Sequence, residues 1–116
     1  MNIATLKRFH KAWADKDMQE LAACMTDNVV YSASVGANLG ETWRGKRDVL
    51  AGIEKMIAHD DAIAQIGDLH ITGNYIFTTW VYRAKTTGET TAKGCDIFRF
   101  KDGLIAHKDA YRKVTL

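Results

Sequence analysis

Few dipeptides limit a chain as tightly as Asp102-Gly103, which stands between two runs of alternating residues. A two-residue type I′ turn needs positive φ at both central positions, and Asp-Gly accepts it. The spacing therefore predicts a β-hairpin. On its first strand Asp96, Phe98 and Phe100 share one face, and Cys95, Ile97 and Arg99 the other. On its second strand Ile105, His107, Asp109 and Tyr111 alternate with Ala106, Lys108, Ala110 and Arg112. Arg99, Lys108 and Arg112 prefer water, which turns Phe98, Phe100 and Ile105 toward the core.

A two-residue turn also sets the register. Phe100 then opposes Ile105, Phe98 opposes His107, and Asp96 opposes Asp109. Directly opposed residues have Cβ atoms roughly 4.5–5.5 Å apart. Burial and a neighbouring like charge both raise a carboxyl pKa, which sets a neutral acid beside an ionised base. Asp96 and Asp109 are therefore the expected acid/base pair, with His107 as a further proton carrier. The competing reading is a structural one, in which a cation neutralises the carboxylates.

Composition narrows the function. Acidic and basic residues, 14 and 16, are interspersed without a basic stripe, which argues against nucleic acid as a partner. No apolar run approaches the roughly 20 residues of a membrane span, and the N-terminus reads as an amphipathic helix, not a signal peptide. Cys24 and Cys95 fit no metal spacing, and the four histidines are dispersed, so no metal or other cofactor is expected. Cys24 reads as a core residue in a reducing cytoplasm. The 116 residues suit one domain, 1–116, with one core.

Read in order, residues 3–14 form a first helix with Ile3, Leu6, Phe9 or His10, and Trp13 on its apolar stripe. Asp17 caps a second helix, with Glu20 completing a capping box, and that helix runs to about Thr26-Asp27-Asn28. Val29 begins a strand. Residues 34–45 read as a loop, with Trp43 a plug over the edge of the core. Residues 46–58 form a third helix, weakened by Gly52. Four strands follow: Ile63 to Thr72, Tyr75 to Lys85, one ending at Phe100, and Leu104 to about Val114. His59 and His70 read as surface residues. The pattern predicts an α+β fold, a curved antiparallel sheet wrapped on N-terminal helices. On the long strand neither Tyr75, Phe77, Thr79 and Val81 nor Ile76, Thr78, Trp80 and Tyr82 form a polar set. An apolar second face predicts a covering sheet, hence a homodimer through the convex face.

Three stretches carry a family resemblance: Asp17 through Tyr31, then Trp43-Arg44-Gly45-Lys46-Arg47-Asp48, then Gly94 through Ile105 with Asp96, Phe98-Arg99-Phe100 and Asp102-Gly103. In this order they resemble the nuclear transport factor 2-like superfamily, with its SnoaL-like polyketide cyclases, ketosteroid isomerases, limonene epoxide hydrolase and scytalone dehydratase. The resemblance implies a cystatin-like α+β cone with a pocket between sheet and helices. Phe9, Trp13, Tyr31, Trp80, Tyr82, Phe98 and Tyr111 are the expected substrate-binding residues. It also implies a dimer through the convex sheet.

Carried over residue by residue, the resemblance is uneven. Asp96 is similar to the aspartic acid that donates to the oxyanion in ketosteroid isomerases. The tyrosine of that chemistry falls at Phe9, and its aspartate base falls near Ala33, with no carboxylate between Asp27 and Glu41. Steroid isomerisation is therefore disfavoured. Asp109 resembles the last-strand aspartate of limonene epoxide hydrolase, whose arginine and aspartate partners fall at Trp80 and Tyr82. His107 and Tyr31 resemble pocket groups of scytalone dehydratase. SnoaL-type cyclases need a single acid/base aspartate, a part open to Asp96 or Asp109. The expected function is a cofactor-independent cyclase, isomerase or lyase acting on a small apolar carbonyl or polyketide-like compound. The alternative is a non-catalytic ligand-binding or dimerisation module.

Overall fold

The computed structural model describes residues 1–36, 39–58 and 62–113. His59 and the expected end of the last strand at Val114 lie outside them. The first helix, α1 (Asn2–Asp15), buries Leu6, Phe9 and Ala12. It ends at Lys16 in the left-handed region (φ 57°), where the Lys16 and Asp17 amides bond back to the last turn. Asp17 then caps α2 (Met18–Ala23), its Oδ1 accepting from the Glu20 amide at 3.1 Å. Glu20 does not return the bond. It accepts from Arg8 Nε at 2.7 Å, tying α2 to α1. The helix is shorter than its sequence suggests because Met25 already pairs with Ile105, and Cys24 O accepts from Ile105 N–H at 2.9 Å. A ladder partner from the far end of the chain overrides local helix propensity there.

The sheet has six strands: β1 (Met25–Ser32), β2 (Thr42–Arg44), β3 (Ala62–Thr72), β4 (Tyr75–Ala84), β5 (Thr90–Lys101) and β6 (Leu104–Lys113). Their order is β2-β1-β6-β5-β4-β3, curved and unclosed. The junctions are antiparallel except β1–β6, which is parallel because the last strand returns beside the first. Strand β2 lies within the expected loop and exists through its pairing with β1, Trp43 opposite Tyr31. The third helix, α3 (Lys46–Ala58), buries Val49, Ile53 and Ile57. A Cβ on Gly52 would lie 2.4 Å from Trp43 Cδ2, so the missing side chain is the space in which the indole rests on α3. Trp43 thus does plug the edge of the core, against Tyr31 with ring centroids 5.5 Å apart.

The hairpin turn forms as its sequence predicts, with Asp102 at φ 52° and Gly103 at φ 79°. Lys101 opposes Leu104 and Phe100 opposes Ile105. The register then shifts: Arg99 opposes His107, leaving Ala106 as an extra residue on β6. Both Ile105 and Ala106 are buried, at 0% and 5% exposure. Beyond this bulge every side chain changes face. Phe98 opposes Lys108, Asp96 opposes Ala110, and Asp109 opposes Ile97. The expected Asp96–Asp109 pair does not form. Lys108, Ala110 and Arg112 turn to the concave face that holds the helices, while His107, Asp109 and Tyr111 turn to the convex face.

Candidate functional site

A cavity of about 240 Å³ opens between α1 and the concave sheet. The helix contributes Phe9, His10 and Trp13; β1 contributes Tyr31, β4 Trp80 and Tyr82, and β5 Asp96. Lys108, Ala110 and Arg112 of β6 complete that wall. A second space of about 500 Å³ continues outward, sharing Trp13, Met56, Ala62, Tyr82 and Arg112 with the first.

Lys108 is the electrostatic centre of the inner chamber. It is only 7% exposed, and its Nζ lies 3.4 Å from Asp96 Oδ2. The same ammonium donates to the Tyr31 hydroxyl at 3.2 Å. It also lies 4.2 Å from the Tyr31 ring centroid and 5.2 Å from that of Trp13. Burial favours the neutral amine, but the Asp96 carboxylate and then Tyr31 outweigh it, and the Lys108 pKa is raised. The group is an ammonium at neutral pH. Asp96 is held from its other side by Trp80, whose Nε1–H donates to Oδ1 at 3.0 Å. Both carboxylate oxygens thus have a cationic or N–H partner, and the carboxylate serves to orient Lys108.

His10 lies beside this pair. Burial, then the nearby Lys108 charge, pushes its pKa down to about 4, against an opposing pull from Asp96. The imidazole is neutral at pH 7. Its Nε2 is buried and has no hydrogen-bond partner among the described residues. The ring packs near Phe98 and Phe9, with centroids 5.9 and 6.1 Å apart.

The fold brings together Phe9, Trp13, Tyr31, Trp80, Tyr82 and Asp96 of the expected site. Phe98 lies beneath it, fully buried against Phe9. His107, Asp109 and Tyr111 are not in the cavity, because the Ala106 bulge places them on the other face. There His107 Nε2 meets Ser32 Oγ at 3.4 Å, and Tyr111, 56% exposed, donates to Asp109 Oδ2 at 3.3 Å. Lys108, His10 and Arg112 escape a reading by alternation alone. The available signal was the collision itself: two opposed buried carboxylates are costly, and shifting β6 by one residue brings Lys108 beside Asp96 instead. Among the described residues no group of three or more His, Cys, Asp or Glu side chains could hold a metal. No helix among them is long and apolar enough to cross a membrane.

Helices closing the concave side of an open curved sheet over an apolar cavity define the cystatin-like, nuclear transport factor 2-like class. The SnoaL-like domain profile matches residues 6–108, and the chain belongs to that family. No curated protein sequence matches it. Among solved structures it is similar to a nuclear transport factor 2-like protein of unknown function from Mesorhizobium loti, at 18% identity and TM-score 0.81 over 97% of this chain and 90% of that one. A cystatin-like fold protein of unknown function from Xanthomonas campestris is 21% identical, with TM-score 0.79 over 96% and 89%. A putative polyketide cyclase from Sinorhizobium meliloti is 15% identical, with TM-score 0.78 over 92% and 93%.

Proposed function

We propose that this protein is a cofactor-independent acid/base enzyme of the isomerase, cyclase or lyase type, acting on a small apolar carbonyl compound. The observation that carries the reading is the buried Lys108 ammonium, oriented by Asp96 and Tyr31 at the wall of an apolar chamber. A substrate carbonyl oxygen accepts a hydrogen bond from Lys108. His10, with its proton on Nδ1, takes the α-proton at Nε2. The C–H electron pair moves into an enolate whose oxygen stays on Lys108, and the proton returns to the same or another carbon. Asp96 is a positioning residue in this scheme. The likeness to a putative polyketide cyclase supports a carbonyl substrate and no more than that.

The test is hydrogen–deuterium exchange at the α-carbon of 4-phenylbutan-2-one in D2O, followed by proton NMR. The wild-type protein is expected to exchange it faster than buffer, with the rate falling in both Lys108→Met and His10→Gln. Exchange no faster than buffer would leave a ligand-binding pocket without proton chemistry. That second reading draws support from Asp96, whose two oxygens are both already engaged.

The convex face carries a proposed homodimer. Tyr75, Phe77 and Tyr111 are 40–56% exposed there, beside Cys95 and Ile97. A second copy presenting the same face would cover them. Sedimentation at micromolar concentration is expected to give a dimer, and Ile97→Lys a monomer. A monomeric wild-type protein at that concentration would end the idea. The two free cysteines support a reducing, cytoplasmic setting.

A further inference from the structure

Gly94 sits between Trp80 on β4 and Arg112 on β6, directly opposite each. A Cβ on it would lie 2.4 Å from Trp80 Cζ2 and 2.1 Å from the Tyr111 carbonyl oxygen. With no side chain between them, residues two strands apart meet. The Arg112 guanidinium carbon lies 5.7 Å from the Trp80 ring centroid and 5.4 Å from that of Tyr82. Held this way, Arg112 lines both the inner and the outer chamber. Its Nε is buried without a hydrogen-bond partner, and among the described residues no carboxylate pairs with it. A half-buried guanidinium whose Nε is buried and unpaired, and which meets no carboxylate among the described residues, matches a carboxylate better than any neutral group. The surrounding charge is positive on balance: the described inner lining holds Lys16, Lys85, Lys108 and Arg112 against Asp96, and the outer lining adds Lys55 and Glu41.

We propose that Arg112 is an anion-binding residue at the throat between the two chambers, and that the ligand is an apolar oxo acid. Its carboxylate pairs with Arg112 and its keto oxygen meets Lys108. The two cations stand on one face of β6 with Ala110 between them, about 13 Å apart at Cα by strand rise. The ligand's polar ends are therefore separated by several carbons. This assignment of the keto oxygen rests on the role given to Lys108 above; the carboxylate site does not.

The probes are 5-oxo-5-phenylpentanoate, its methyl ester, and 5-phenylpentanoate, titrated against the full chain by calorimetry and tryptophan fluorescence. The wild-type protein is expected to bind the acid about tenfold or more tighter than the ester. In Arg112→Gln that preference collapses toward one, and in Arg112→Lys part of it returns. Far-UV circular dichroism checks that each variant is folded, and the acid-to-ester ratio on the wild type needs no variant. Equal binding of acid and ester, no binding of the acid at millimolar concentration, or a preference that survives in Arg112→Gln overturns the proposal. If 5-phenylpentanoate binds as tightly as the oxo acid while both outbind the ester, the anion site stands and the role of Lys108 as carbonyl partner falls.

Discussion

Lys108→Met is expected to lower the melting temperature by roughly 10 °C or more, because breaking a buried ion pair from one side costs about 3–5 kcal/mol. The methionine fills much the same space, so lost packing is a minor part of the effect. What remains is the Asp96 carboxylate, 6% exposed, with the Trp80 N–H but without its cation. The double variant Lys108→Met/Asp96→Asn is expected to regain most of the loss, since the amide oxygen still accepts from Trp80 and no charge is stranded. A thermal-melt double-mutant cycle measures the coupling. If the single variant melts like the wild type, the ion pair does not hold this wall together. If the double variant is as unstable as the single one, Lys108 acts through packing.

The second large effect is on acid stability. His10 has a folded pKa of about 4 against an ordinary value of 6.5. Between those values the unfolded chain binds more protons than the folded one, so stability falls as pH falls. The contribution is whole above pH 6.5 and is lost progressively down to about pH 4, some 3 kcal/mol across the window. Lys108 faces the imidazole and strengthens the effect, while Asp96 moderates it. His10→Phe removes the titrating group, so the slope of stability against pH should flatten between pH 6.5 and 4. Urea denaturation at half-unit pH steps measures it. An unchanged slope in His10→Phe would assign the acid sensitivity to other groups.

Much of the fold was legible because local rules and tertiary packing agreed. Leu6 and Phe9 mark the buried stripe of α1, Asp17 caps α2, and α3 spans the residues its periodicity indicates. Asp102-Gly103 turns as that dipeptide should. Strand β2 was not legible, because Thr42–Arg44 owes its form to pairing with β1 and not to its own pattern. The site was half legible. Residues on α1, β1 and β4 follow simple parity, and Phe9, Trp13, Tyr31, Trp80 and Tyr82 reach the cavity. On β6 parity fails at Ala106, and alanine carries no mark of a bulge. Lys108 and Arg112 then defy the expectation that long cationic side chains seek water, one stabilised by Asp96 and the other by aromatic rings.

The bulge makes the last strand readable in two frames. In one frame its inward residues are Lys108 and Arg112; in the other they are His107, Asp109 and Tyr111. A single-codon insertion after Ala106 would exchange them at a stroke, moving every later residue of the strand to the opposite face. Cation-lined and acid/base-lined chambers are thus mutational neighbours on this scaffold. Reactive side chains now turned outward form a reserve of alternative chemistry, one indel away from the pocket.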